Sequence, residues 1–182
     1  MLTAKQKKEI TGTTKKWLET FIIGLNLCPF AKAPYLRGGV RLTVEEADSM
    51  KKYLQIFADE VAFLQKNPAT DTTLLILPGL GNIQQFQTYM QSCEEMLHEK
   101  KWLFDIMIVP FHPLMRFAGL PPDSVENTTG IAPFPIVHLL RQAQVASLGA
   151  MMKKDVIEAN DEKLRSMSKE EIKKLWEKVL RG

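Results

Sequence analysis

Apolar residues recur along the chain in two rhythms, and the changes of rhythm divide it into elements. From Lys15 onward Trp17, Leu18, Phe21, Ile22 and Leu25 fall at helical spacing, which predicts an amphipathic helix ending near Gly24 to Asn26. The stretch CPFAKAPYLRGG follows as a loop, and VRLTV alternates as a short strand. Between Glu45 and Lys66, Met50, Leu54, Phe57, Val61 and Leu64 share one helical face, which NPATD closes. TTLLILP and FDIMIVP are nearly continuous apolar runs, the pattern of strands covered on both faces, with a helix from Gln84 to Lys100 between them. Strand, helix, strand, helix, strand predicts an α/β fold: a small, at least partly parallel sheet of three or more strands covered by helices.

After Pro110 the rhythm stops. FHPLMRFAGLPPDSVENTTGIAPFP has no clear period and many turn formers, and long irregular segments inside a compact domain tend to carry function. Pro135 then occupies the favoured first-turn position of an expected helix through IVHLLRQAQVA. SKEEIKKLWEKVL opens with a capping box, Ser168 with Glu171, and aligns Ile172, Leu175, Trp176, Val179 and Leu180 on one side. That stripe must dock on the body of the chain or on a partner, so the terminal helices are also where copies could join. We expect one α/β domain over residues 1–150, including the N-terminal helix, and a C-terminal helical extension over 151–182.

Composition narrows the function classes. The 182 residues are 45% hydrophobic and 25% charged, ordinary for a folded domain, and the net charge of +3 is too small to predict nucleic-acid binding. Lys5, Lys7, Lys8, Lys15 and Lys16 read as the solvated face of a helix that also carries Glu9 and Glu19. Two cysteines cannot make a disulfide scaffold, and MLTAKQKKEI lacks the apolar run of a signal peptide, so a reduced, cytoplasmic chain is expected. No run approaches the roughly 18 apolar residues of a membrane helix.

Candidate chemistry centres on Cys28 and His112. Pro29 can open a helical turn whose N–H groups face the Cys28 thiol and favour the thiolate, although a buried inert cysteine sealing the first helix has the same local sequence. His112 follows the last apolar strand, where ligands of open α/β sheets bind, and Pro113 holds it extended. On the expected helix after Pro135, His138 lies one turn from Arg141, an arrangement suited to an anion or to a plain solvated face. His98 reads as a surface residue near a helix end and Cys93 as structural. Asp123, Glu126 and Asn127 give the long loop polar groups, but no spacing matches a standard metal motif. PGLGN reads as a tight turn into the next helix rather than a phosphate loop.

As a set, WLETFIIGLNLCPFAKA, DTTLLILP, FHPLMRFAGLPPDSVEN and APFPIVHLLR closely resemble the domain-of-unknown-function family 1415, over about Trp17 to Val145. The resemblance implies a recurrent pattern of Asn26, Cys28, Pro29, Phe30, Ala31 and Lys32, then His112, Pro113 and Phe117, then Asp123 and Asn127, then Pro133, Pro135, His138 and Arg141. It supplies no reaction. This chain departs from the pattern at Gly130 and Ile131, where the family typically shows asparagine and arginine, and at Met115, in place of a usual aromatic. If that arginine grips an anion, Arg141 or Arg116 must compensate here.

Three functional readings follow. The leading one is an enzyme acting on a small anionic substrate, with Cys28 as nucleophile, His112 as base or proton shuttle, His138 and Asp123 beside them, and Asn26, Lys32, Arg41, Asn127 and Arg141 contacting substrate. Its geometric difficulty is that, if VRLTV is parallel to the other strands, its preceding loop starts at the opposite sheet edge from His112. The second is a metal-binding protein or metal-dependent hydrolase using His112, His138, Asp123 and Cys28, with no particular metal or cofactor indicated. The third is a non-catalytic interaction module.

Overall fold

The computed structural model describes residues 1–28, 31–146 and 149–181. Its elements in chain order are α1 (Ala4–Trp17), continued by a π-helical segment (Leu18–Ile23), α2 (Lys32–Leu36), β1 (Val40–Val44), α3 (Met50–Lys66), β2 (Thr72–Ile76), α4 (Ile83–Glu99), β3 (Ile106–Phe111), β4 (Ile136–Arg141), α5 (Gln142–Ala146), α6 (Gly149–Arg165) and α7 (Lys169–Leu180). The four strands form one mixed sheet in the order β1-β2-β4-β3. β1 and β2 are parallel, while β4 is antiparallel to both of its neighbours. β3 therefore runs in the same direction as β1 and β2, and the α/β expectation holds.

One expectation fails. IVHLLR is not helical but the strand β4, inserted between β2 and β3. A six-residue segment with four apolar residues, β-branched Ile136 and Val137 among them, is compatible with either state, and the open slot between two strands decides the matter by pairing it on both sides. Helix begins only at Gln142, so His138 and Arg141 are not stacked one helical turn apart.

Alternation along the strands gives the sheet two apolar layers. Leu75, Val137, Leu139 and Ile106 face α3 and α4, and pack with Phe57, Val61, Leu64, Phe86, Tyr89 and Cys93. Val44, Leu74, Ile76 and Ile136 face the other way, onto Trp17, Leu18, Phe21, Ile22, Leu164, Ile172 and Val179 of the terminal helices. Every residue of β2 is buried, as its continuous apolar pattern requires for a strand covered on both faces. The capping box of Ser168 and Glu171 forms as expected, and the α7 stripe docks on its own chain: Ile172 and Val179 are buried, and Trp176 lies against Phe21 with ring centroids 4.5 Å apart. Leu180 stays exposed.

The first helix starts at Ala4, earlier than the apolar period alone indicates, because Thr3 and Gln6 form a capping box. Its last turns widen into the π-helical segment, followed by Gly24, where a Cβ would lie 2.4 Å from the Thr20 carbonyl oxygen and only glycine fits. Asn26 then takes a left-handed conformation at φ 56°.

Candidate functional site

The turn that carries Cys28 grows directly from the π-helical segment. The Cys28 N–H donates to the Ile22 carbonyl at 3.3 Å, and the Ala31 N–H donates to the Cys28 carbonyl at 3.1 Å. Cys28 is half-buried against the layer of Trp17, Phe21 and Ile136. Pro29 and Phe30, and with them the expected helical turn facing the thiol, lie outside the described residues. Asn26 and Lys32, on either side, are exposed, and the intervening Leu27 is buried with its carbonyl accepting from Asn160 Nδ2 at 2.7 Å.

His138 belongs to the same layer. In β4 its side chain alternates with Val137 and Leu139, so it shares a face with Ile136, and its ring lies 6.3 Å from that of Phe111. Thr72 Oγ1 donates to the Leu139 carbonyl at 2.5 Å and is 2.7 Å from His138 Nε2. With its one hydrogen spent on Leu139, Thr72 accepts from His138, which sets the Nε2–H tautomer and turns the Nδ1 lone pair away from Thr72. Desolvation by burial pushes this imidazole down to about 4 from 6.5, so it is neutral at physiological pH.

His112 sits across the sheet. It follows β3, fully buried, with its ring centroid 5.1 Å from that of Phe86 in the α3/α4 layer. Both ring nitrogens are committed to main chain: the Leu114 N–H donates to Nδ1 at 3.0 Å, and Nε2 lies 3.2 Å from the Leu80 carbonyl, to which it donates. Burial lowers its pKa, with the hydrogen bonds to the Leu80 and Gly81 main chain opposing that shift. His112 therefore ties the end of β3 to the PGLGN turn, which forms the expected tight entry into α4, capped by Asn82. The two imidazoles do not meet, and the expected pairing of Cys28 with His112 places the thiol and the imidazole in opposite layers.

Most other expected site residues are likewise spent inside the fold. Arg41 makes two hydrogen bonds to Glu60, at 2.9 and 3.0 Å, and lies 4.2 Å over the Phe63 ring, and the Glu60 hydrogen bonds raise its pKa. Arg141, at the end of β4, donates to the carbonyls of Leu64, Asn67 and Thr70 at 2.6–3.3 Å, tying together the end of α3 and the turn after it. Asn127 is buried and organises the long loop, accepting from the Phe117 N–H at 2.9 Å and donating to the Pro121 carbonyl at 3.0 Å. Asp123 is exposed and paired with Lys169 at 2.6 Å, which lowers its pKa. Glu126 is held down to about 2 by hydrogen bonds from Ser124, its own backbone and Arg165. Asp123, Asn127 and Arg116 do share a cavity of about 210 Å³ between the long loop and α7, closed by Ile172 and Trp176. Among the described residues no group of three or more His, Cys, Asp or Glu is placed to hold a metal ion. Cys93, fully buried, is pushed up to about 12 by desolvation, and His98 is exposed in the last turn of α4, as expected of both.

Residues 9–174 match the sequence profile of the family described as Protein of unknown function (DUF1415), which is most of the chain. The chain belongs to this family. No curated protein and no solved structure matches it. The DUF1415 resemblance read from the four motifs is thus established, and Gly130 and Met115 prove to be neighbours in space. A Cβ on Gly130 would lie 2.7 Å from Met115 Cγ and 2.9 Å from Phe117 Cζ, so the Met115 side chain fills space that a larger residue at 130 needs. Gly130 and Met115 are one packing arrangement. The Ile131 carbonyl accepts from Trp17 Nε1 at 3.1 Å.

Sequence reading missed Thr72, which orients His138, and Glu60, which neutralises Arg41. Both act through neighbours far along the chain, so only strand pairing and helix packing reveal them. Among the described residues no helix is long and apolar enough to cross a membrane.

Proposed function

We propose that this DUF1415 chain is an enzyme that uses the Cys28 thiol on a small electrophilic substrate carrying negative charge, with His138 rather than His112 as the imidazole partner. The observation that carries the reading is that Cys28 and His138 belong to the same layer, and that the His138 tautomer set by Thr72 leaves Nδ1 as an acceptor. In such a step the sulfur forms a bond to the electrophilic carbon or phosphorus, the leaving group departs with its electron pair, and the thiol proton passes to Nδ1. Thr72 is a positioning residue in this scheme. Lys32, exposed four positions beyond Cys28, supplies positive charge beside the turn, whereas Arg41 and Arg141 are assigned to the fold.

The test is the rate of Cys28 alkylation by iodoacetamide, followed by mass spectrometry from pH 5 to 9 with Cys93 as the buried internal control. A His138→Gln variant is expected to slow Cys28 at least about threefold at neutral pH and to change the shape of its pH profile. An unchanged profile in a variant that retains its thermal midpoint would falsify the pairing. The non-catalytic reading draws support from the internal use of His112, Arg141 and Asn127, and under it Cys28→Ala retains every property of the parent.

A further inference from the structure

Among the described residues β1 is an edge strand of the sheet, with no strand beyond it. Its hydrogen-bonding direction follows from its two ends. The Gly39 carbonyl accepts from the Thr72 N–H at 3.3 Å, and the Glu45 N–H donates to the Ile76 carbonyl at 3.0 Å. Residues of that parity turn their main-chain groups toward β2, so the N–H and C=O groups of Val40, Leu42 and Val44 point away from it, with Val40 and Leu42 half-buried and Val44 buried. An edge of this kind is a template for another extended chain unless something covers it.

A cavity of about 580 Å³ runs there, lined by Leu42, Thr43, Val44 and Glu45 on one side and by α1 on the other. Consecutive strand residues point to opposite faces, so a space lined by four of them must follow the edge itself rather than lie over one face. The α1 wall offers Lys7, Lys8 and Lys15 with Thr11 and Gly12 between them, and a Cβ on Gly12 would meet nothing within 4 Å. Lys7 is paired with Glu45 at 3.0 Å. Among the described residues Lys8 and Lys15 have no ion-pair partner.

We propose that this groove receives an extended acidic segment of a partner protein, which adds to the sheet as a strand beside β1 and presents its carboxylates to Lys8 and Lys15. Strand addition takes affinity from main-chain hydrogen bonds and selectivity from alternate side chains, and both parts are present here. A second copy of this chain is the poorer occupant, because pairing β1 with β1 about a two-fold axis brings the lysine walls of both copies together. The proposal is independent of the chemistry of Cys28.

Fluorescence anisotropy with a labelled peptide of alternating glutamate and valine, seven residues long, tests it on the full-length protein. The acidic peptide is expected to bind at least about tenfold more tightly than its lysine–valine counterpart, and a Lys8→Glu/Lys15→Glu double variant to lose at least about tenfold. N-methylation of alternate peptide amides, which leaves the protein untouched, is expected to abolish binding in one of the two possible phases. Equal binding by both N-methylated peptides overturns strand addition, and so does saturable binding of inorganic pyrophosphate that displaces a peptide indifferent to methylation. A concentration-dependent dimer in light scattering that Leu42→Pro dissolves assigns the edge to a second copy instead, and likewise overturns the proposal.

Discussion

His112, just past the end of β3, and His138, inside the neighbouring β4, lie on opposite faces of the sheet, and the two layers use them differently. His112 is enclosed between the end of β3 and Phe86, and both of its nitrogens replace main-chain partners that a loop would otherwise lack. His138 lies on a half-covered stretch of β4, bonded through one nitrogen to a threonine side chain. The difference teaches that a histidine at the carboxyl end of a strand is not thereby a ligand. A buried imidazole with a donor and an acceptor in fixed positions is also an efficient connector for irregular main chain. The histidine inside the strand, where regular pairing already satisfies the backbone, bonds a threonine side chain instead of loop main chain.

The comparison can be broken most directly at His112. His112→Ala leaves the Leu80 carbonyl and the Leu114 N–H buried without partners and opens space beside Phe86, so it is expected to cost about 3 kcal/mol in urea unfolding. A loss below about 0.5 kcal/mol would return His112 to the list of functional rather than connecting residues.

The next effect concerns protons. The folded pKa of His138 is depressed to about 4 from 6.5, so the unfolded chain binds the proton first as pH falls. Its contribution is complete above pH 6.5 and is lost progressively between 6.5 and 4, at roughly 1.4 kcal/mol per pH unit. Unfolding free energy measured at pH 7 and pH 5 should differ by about 2 kcal/mol more in the parent than in His138→Gln, with His112 adding to the residual slope in the same direction.

Gly130 sharpens the picture on the His112 side, since its carbonyl accepts from the His112 N–H at 3.1 Å. Gly130→Asn meets Met115 and Phe117, and is expected to destabilise by about 1.5 kcal/mol. Combining it with a substitution that shortens residue 115, Met115→Ala, should recover part of that loss if the two positions form one packing unit. The smallest expected change is a gain: Thr73, fully buried in β2 and turned toward the α3/α4 layer, has a hydroxyl without a partner, so Thr73→Val should raise stability by up to about 1 kcal/mol in thermal unfolding.

The fold was legible where a segment's pattern admits one state. VRLTV, TTLLILP and FDIMIVP become strands, and the three amphipathic periods become helices, because each carries enough residues of one rhythm to bury a face. The candidate site was legible only as a collection of residue types. Arg41 and Arg141 look alike as free cations in the sequence, and nothing local announces that Glu60 and a cluster of turn carbonyls will take them. The lysines of α1 read as a solvated face, and only the unpaired edge of β1 opposite them gives that face a second use.

What the residues by themselves determined is the alternation of strands and helices, the capped start of α7, and the family to which the chain belongs, because each rests on short-range spacing. Tertiary structure alone decided that IVHLLR is a strand, which imidazole shares the layer of Cys28, and which charges are paired inside the fold. Those outcomes depend on hydrogen-bond partners and burial supplied by segments as far as 77 positions away, and a six-residue segment contains no record of what will lie beside it.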